Sequence, residues 1–315
     1  MAIITNTLLT FSAVGNREDL LDKIYNISPV DIPFQTMTDA VKITATLTEW
    51  QTETLSAAAA NAQLQGDDVT FGSAILTTRV NNRTQISRKE VIISGTQEAV
   101  DKAGRNSELV RQMANKRAEL KRDCEFVLLS NQAPVTGNST TAPQLRPLCG
   151  WITTNASRGA TGANGTTSAA ATDGTQRALT EALMVAGMQT SWVQGGKPTM
   201  ILCGPKQRAV ISTFTGGATK FYSVEDKKLS ATIQVYEGDF GTVKMVIDRF
   251  MRGAQTTADR EIFVLDPEYW AVGNLRPFQA LDLAKTGDAE KGVILREYTL
   301  VARQEASSAV VADLT

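Results

Sequence analysis

Apolar and polar positions change period several times along this chain, and each change predicts an element. In residues 17–28, REDLLDKIYNIS, Leu20, Leu21, Ile24 and Ile27 recur at helical spacing behind an acidic first turn, and Pro29 ends the pattern. A short amphipathic helix is expected there. Pro29 and Pro33 then force PVDIPFQ into an extended strap. From Val41 to Leu55, which contains KITATLTEWQTETL, and again from Thr70 to Ser94, the alternation is strand-like. With the Ala-rich SAAAANAQLQGDD between them, these runs predict a long two-stranded excursion. Its thin apolar face is marginal in water, so it needs a surface to lie on.

Residues 97–131 place Ala99, Ala103, Val110, Met113, Leu120, Cys124 and Val127 or Leu128 close to helical period. Unbroken, this helix would run about 50 Å. Lys116, Arg117, Glu119, Lys121, Arg122, Asp123 and Glu125 read as its solvated face, laced with i,i+4 pairs such as Lys121 with Glu125. A polar tract at 135–175, rich in Ser, Thr, Gly, Asn and Ala, follows. A loop this long usually has a job, and contacts from neighbouring molecules would order it. A helix is predicted over 176–194 and another near Pro205–Thr213. Short strands are predicted at 199–204, around a Gly-containing turn at 237–241, at 261–266 and at 293–304. The second half is therefore α+β.

Composition narrows the chemistry. The 315 residues can bury a sizeable core. Thirty-two basic against 33 acidic residues argue against a broadly basic nucleic-acid face and remove an electrostatic barrier to self-association. Histidine is absent, which removes any Ser-His or Cys-His dyad. Cys124, Cys149 and Cys203 are far apart and never form C-x-x-C, so reduced, buried thiols are expected. No stretch approaches the roughly 20 apolar residues of a membrane span, and the N-terminus lacks the basic region of a signal peptide.

No motif commits the chain to catalysis. GATGANGTT at 159–167 has glycines but no following GK[ST] and no preceding strand. Asp67 and Asp68 form a loop acidic pair of the kind that is ordinarily solvated. Glu49 and Glu53 are the one candidate acid–base pair. In a strand they stand roughly 13 Å apart, beyond glycosidase separations, and aromatics to line a sugar cleft make up only 6% of the chain. Charge pairing with Arg79, Arg83, Arg88 and Lys89, across a ribbon or with a neighbouring subunit, is the plainer role.

The order of elements resembles the major capsid proteins of tailed bacteriophages with the Hong Kong 97 fold. The wording of both ends is similar to the SU10-like subfamily: REDLLDKIYNISPVDIPF at 17–34, TEWQTETL at 48–55, LDPEYWAVGNLRPF at 265–278 and KTGDAEKGVILREYTLVARQEASSAVV at 285–311. The resemblance implies an α+β capsid fold divided into an N-arm (1–38), an E-loop (39–95), a P-domain spine helix (96–134), an extended polar loop (135–175), an A-domain (176–284) and a return to the P-domain with a C-terminal tail (285–315). It implies a virion protein, not an enzyme and without cofactor or metal, assembled in the host cytoplasm into hexamers and pentamers of an icosahedral shell. Its partners would be other copies, a portal, scaffold or decoration proteins, and DNA contacted weakly on the inner face, with no membrane. The residues expected between subunits are Arg17, Asp31, Pro33, Glu49, Trp50, Glu53, Arg79, Arg83 and Arg88. No residues match a covalent cross-linking motif, so none is expected. An encapsulin-type compartment shell and a carbohydrate-active enzyme using Glu49 and Glu53 are the rival readings.

Overall fold

The computed structural model describes residues 4, 6–11, 13–16, 21, 23–69, 71–214, 235–254 and 259–315. Three apolar runs build the centre. Strands β6 (Met200–Cys203), β9 (Glu261–Leu265) and β12 (Ala309–Ala312) are buried on both faces. Because strand side chains alternate, each of these strands feeds two cores. Met200, Leu202, Phe263, Leu265, Val310 and Ala312 point into one. Ile201, Cys203, Ile262, Val264, Ala309 and Val311 point into the other, where Met184 and Met188 of a helix at Glu181–Val193 cover them.

In chain order the elements before this centre are α1 (Pro33–Met37), β1 (Asp39–Lys42), β2 (Leu47–Thr52), β3 (Thr78–Arg83), β4 (Gln85–Ser94), α2 (Gly95–Ala99), α3 (Glu108–Leu128), α4 (Leu148–Trp151) and β5 (Ala156–Ser157). The helix over the second core is α5, and α6 (Pro205–Ile211) follows β6. Then come β7 (Val235–Gly238), β8 (Gly241–Ile247), β9, β10 (Trp270–Leu283), β11 (Ala289–Ala302) and β12. They form a six-stranded mixed sheet in the order β5-β12-β9-β6-β8-β7, a four-stranded sheet in the order β1-β10-β11-β4, and a separate ribbon of β2 and β3. The first core is continuous between the two larger sheets, through Phe34, Leu120, Cys124, Leu128, Trp270 and Tyr298.

Several expectations change here. The described part of the predicted 17–28 helix, residues 21 and 23–28, is not helical. A short helix with no surface to pack on gains too little to pay for its nucleation. The predicted 50 Å helix is instead two helices. Gly104, at φ 75°, turns the chain between them, and α3 restarts where the Ser107 hydroxyl accepts from Val110 N (3.2 Å) and the Glu98 carboxylate accepts from Glu108 N (3.0 Å). At 21 residues, α3 is about 30 Å long. Its inner face is Leu120, Cys124 and Leu128, while Val110 is exposed. Glu125 does not pair with Lys121 on a solvated face. It is fully buried and accepts from the Phe34 and Gln35 amides of α1, at 2.6 and 3.2 Å.

The excursion is shorter than its sequence pattern. Only β2 and β3 form the ribbon, with Leu47 opposite Arg83 and Thr52 opposite Thr78. At Thr84 the chain leaves it, with Thr84 N donating to Thr46 O and the hydroxyl to Glu297 (both 2.8 Å), and β4 pairs antiparallel with β11 instead. The 135–175 tract is anchored by contacts within its own chain. Leu145, Leu148, Cys149 and Ile152 sit in the first core. The Asp313 carboxylate accepts from Gly159 N and Gly174 N, each at 2.9 Å, and Glu305 accepts from Thr153 N at 3.0 Å. A boundary at 284/285 would cut the antiparallel hairpin of β10 and β11 at its turn, and the tail returns to the six-stranded sheet as β12. β10 escaped the pattern reading because Gly273 and Pro277 interrupt it. The register shifts between Arg276 and Gln279, around the proline that has no N–H to give.

All three cysteines are free and buried. Burial pushes their thiols up, Cys203 to about 12. At neutral pH a water-soluble disulfide reagent should therefore find no rapidly reacting thiol in the native chain and three in denaturant. Fast stoichiometric labelling of the native protein would contradict this packing.

Candidate inter-subunit surface

Two extended segments carry large apolar side chains with no core to enter. Before α1, Phe11 (96% exposed) and Ile27 (99%) stand in solvent, with Leu8, Val14 and Tyr25 also exposed. Between β2 and β3, the described residues 53–69 and 71–77 form no helix or strand, and Leu55 (92%) and Phe71 (91%) are equally bare. Burying one such side chain is worth about 1.5–3 kcal/mol. Elsewhere the described residues bury two apolar cores, which these side chains do not join. They mark surfaces that another molecule would cover.

The ribbon is fixed at its root by three side chains. Asn82, buried in β3, donates to Leu300 O (2.8 Å) and Arg146 O (3.1 Å) and accepts from the amides of Arg83 and Arg146, both 2.9 Å. Thr84 makes the bond to Glu297 described above. Trp50, half-buried opposite Val80, donates from Nε1 to Ala302 O (2.7 Å) and packs on Trp151 with ring centroids 5.4 Å apart. The Arg146 guanidinium also lies over the Trp151 ring, 4.4 Å from its centroid. The ribbon is thus bolted to the end of β11 and to α4, while its tip projects.

The expected contact residues fall at different places. Arg17 lies outside the described residues. Asp31 is exposed just before α1, and Pro33 is the first residue of α1, where its missing N–H costs nothing. Glu49 is brought to Arg79 across the ribbon as an ion pair, and Glu53 is exposed one residue past β2 with no ion pair in the described chain. Glu49 and Glu53 are not assembled into an acid–base pair, since Glu49 already faces an arginine. Arg83 is half-buried on β3, its carbonyl accepting from the Thr299 hydroxyl (2.8 Å). Arg88 is not on the ribbon. It pairs with Glu90 (2.9 Å) within β4, and Lys89 beside it reaches Asp123 of α3 (2.7 Å). The transfer of the chain to β11 at Thr84 is what separates Arg88 and Lys89 from Arg79 and Arg83. Asn82 and Asp313 carry no role in the sequence reading, and Glu125 is placed there on the solvated face of the helix, whereas it is buried. Asn82 carried a faint signal as an amide in the middle of a strand-like run, where Asn is disfavoured.

Among the described residues no group of three or more His, Cys, Asp or Glu side chains could hold a metal, and no helix is long and apolar enough to cross a membrane. The SU10 major capsid protein family model matches residues 3–315. A major capsid protein of Escherichia phage Phieco32 is 36% identical over 126 residues, 40% of this chain. The matched stretch spans 36% of that relative's own length. The cyanophage A-1(L) capsid asymmetric unit superposes with a TM-score of 0.68 at 14% identity, covering 98% of this chain and 100% of that one. A chain from the capsid of the native GTA particle gives 0.62 at 10% identity, over 97% and 98%. At such identities the likeness is one of fold, the Hong Kong 97 fold that the order of elements implies. With a family match over nearly its whole length, this chain belongs to the SU10 major capsid protein family.

Proposed function

We propose that copies of this chain assemble, as hexamers and pentamers, into the icosahedral shell of a tailed phage that encloses double-stranded DNA. The observation that carries this reading is the pair of extended segments with bare apolar side chains, attached to a body whose cores are closed. A subunit built this way gains its missing burial only from neighbours, so assembly and stability become one free energy. In this reading the N-arm is residues 1–32, ending where Phe34 enters the core. The E-loop is 44–84, and α3 is the spine. Asp31, Glu49, Glu53, Arg79 and Arg83 lie where neighbours would meet these segments, and Arg88 lies on β4, the edge strand of its sheet among the described residues. A portal and scaffold or decoration proteins would complete the head. DNA would touch the inner wall weakly, in keeping with near-zero net charge.

The test is expression of the chain with the other head proteins of its phage, followed by electron microscopy. Closed particles containing nucleic acid are the expected result. When residues 54–76 are replaced by a short Gly-Ser linker, soluble subunits with the parent's unfolding midpoint but no closed particles are expected. Closed particles of normal yield from the linker variant, or soluble monomers alone from the parent in that full setting, would overturn the proposal. Particles filled with protein cargo and free of nucleic acid would contradict the genome-enclosing role.

A further inference from the structure

The buried carboxyls Glu125 and Asp248 meet where α1, α3 and the end of β8 come together, and neither belongs to the ribbon or to the exposed segments. Both are fully buried. Glu125 acts as a cap for α1 from another element: Oε1 accepts from Phe34 N (2.6 Å), and Oε2 accepts from Gln35 N (3.2 Å) and Gln35 Nε2 (2.8 Å). Asp248 Oδ1 accepts from Phe250 N (2.7 Å), but among the described residues its Oδ2 receives no N–H or hydroxyl. The Asp248 carboxyl lies beside Glu125, close enough for each to act on the other's protonation. Two ionised carboxylates side by side in a buried site repel, and one proton between them supplies the donor that Oδ2 lacks.

Charge around the pair agrees. From β11, Arg296 donates to Gln35 Oε1 (2.5 Å) and to Asn274 Oδ1 (2.9 Å), with its guanidinium stacked on Phe278 and Tyr298. On α3, Cys124 and Tyr298 of β11 are both held neutral by burial, Arg122 sits over the Phe250 ring, and Lys121 offers its backbone carbonyl to Gln35. α1 carries no charged residue. Flanking it, Asp31 is exposed and Asp39 pairs with Arg303 (2.8 Å), and Arg249 beside Asp248 is exposed. With one proton on the pair, Arg296 and the remaining carboxylate make the site neutral. Without it, a net negative charge is buried.

We propose that Glu125 and Asp248 share a single proton as a latch that fastens α1, and with it the root of the N-terminal segment, to the junction of the two sheets, and that loss of this proton releases α1. Burial, with Asp248 second, raises the Glu125 carboxyl to about 8, and burial raises Asp248 as well. The latched state holds one proton more than the open state, in which a solvated glutamate titrates near 4.3. Latching therefore weakens as pH rises between those values, by up to tenfold in the opening constant per pH unit, and levels off above about 8. The latch is a property of the single chain and does not depend on the shell reading.

Hydrogen exchange on the full chain tests it. After correction for intrinsic rates, the opening constant of the amides at 34–38 should rise roughly 100-fold from pH 6 to 8 and then flatten, following one proton released per opening. Glu125→Gln keeps one of the two acceptor oxygens for α1, puts an N–H in place of the other and removes the titrating proton, so its opening constant, higher or lower, should be flat over the same range. Asp248→Asn should flatten it too, and serves if Glu125→Gln does not fold. A flat wild-type profile between pH 6 and 9 overturns the latch, as does an undiminished slope in either variant.

Discussion

Asp313→Ala is expected to destabilise the chain by about 3–5 kcal/mol, although the residue stands two positions before the last one. Asp313 is 1% exposed, and its two carboxylate oxygens accept one amide each, Oδ2 from Gly159 and Oδ1 from Gly174. A hydrogen bond to a charged acceptor contributes about 1.5–3 kcal/mol, and truncation leaves both donors without a partner. Neither glycine can adapt by growing a side chain. A Cβ at Gly159 would stand 2.0 Å from Thr175 O, and one at Gly174 would stand 2.6 Å from Ala160 O. Asp313 itself sits at φ 59°, a conformation that Asp tolerates better than Ala. The loop from Gly159 to Gly174 thus depends on one side chain of the tail for its closure. Denaturant unfolding should show the loss directly, and the thermal midpoint should fall by roughly 10 °C. Exchange of the Gly159 and Gly174 amides should accelerate before global unfolding. Asp313→Asn, which keeps one acceptor, should fall between the parent and Ala. A loss under 1 kcal/mol for the Ala variant would mean that other contacts close this loop.

The same loop shows where sequence reading stops. β6 and β9 were legible because MILC and EIFVL are apolar runs that stand out from their surroundings, and α5 because its Leu and Met recur at helical spacing. The tract at 135–175 reads in the sequence only as a long polar loop, since its order depends on partners distant in sequence: Asp313, Glu305 and Asn131 each reach its backbone, and none leaves a local trace. β12 was missed because AVVA is short and lies in a tail of small residues. It becomes a strand only because β9 and β5 flank it. Glu125 was misread for a related reason. In a helix dense with charge, period alone does not show which carboxylate turns inward, and the partner that turns it, the bare amide end of α1, is 90 residues away in sequence. The ribbon was foreseen in kind and wrongly extended in length. Alternation continues unbroken through Thr84, and the change of partner there is made by Thr46, Glu297 and β11.

Trp50→Ala should lower the yield of closed particles at least tenfold while the isolated subunit keeps its helical signal. The indole is half-buried and belongs to the ribbon's root, through its Nε1 bond to Ala302 O and its stack on Trp151. Full truncation of a buried tryptophan costs about 3–5 kcal/mol, and a half-buried one less, on the order of 2–3. Among the described residues β2 pairs with β3 alone, and Trp50 packs on the margin of the first core beside Trp151, so the loss falls on local opening of these two strands and on that margin, leaving the helices in place. Assembly magnifies it. Under the shell reading, every copy must present its E-loop in one pose, and each 1.4 kcal/mol of repositioning cost is a factor of ten at that contact. Glu53→Lys supplies the complementary measurement. Glu53 is exposed and makes no ion pair in the described chain, so reversing its charge leaves the subunit's unfolding unchanged and acts only on what another copy brings to it. Circular dichroism and denaturant midpoints on the subunits, beside particle counts by electron microscopy, separate the two levels. Equal damage to subunit and particle in Trp50→Ala would place the indole in the fold alone. Normal particle yield from both variants would remove the 47–53 strand from the contacts between copies.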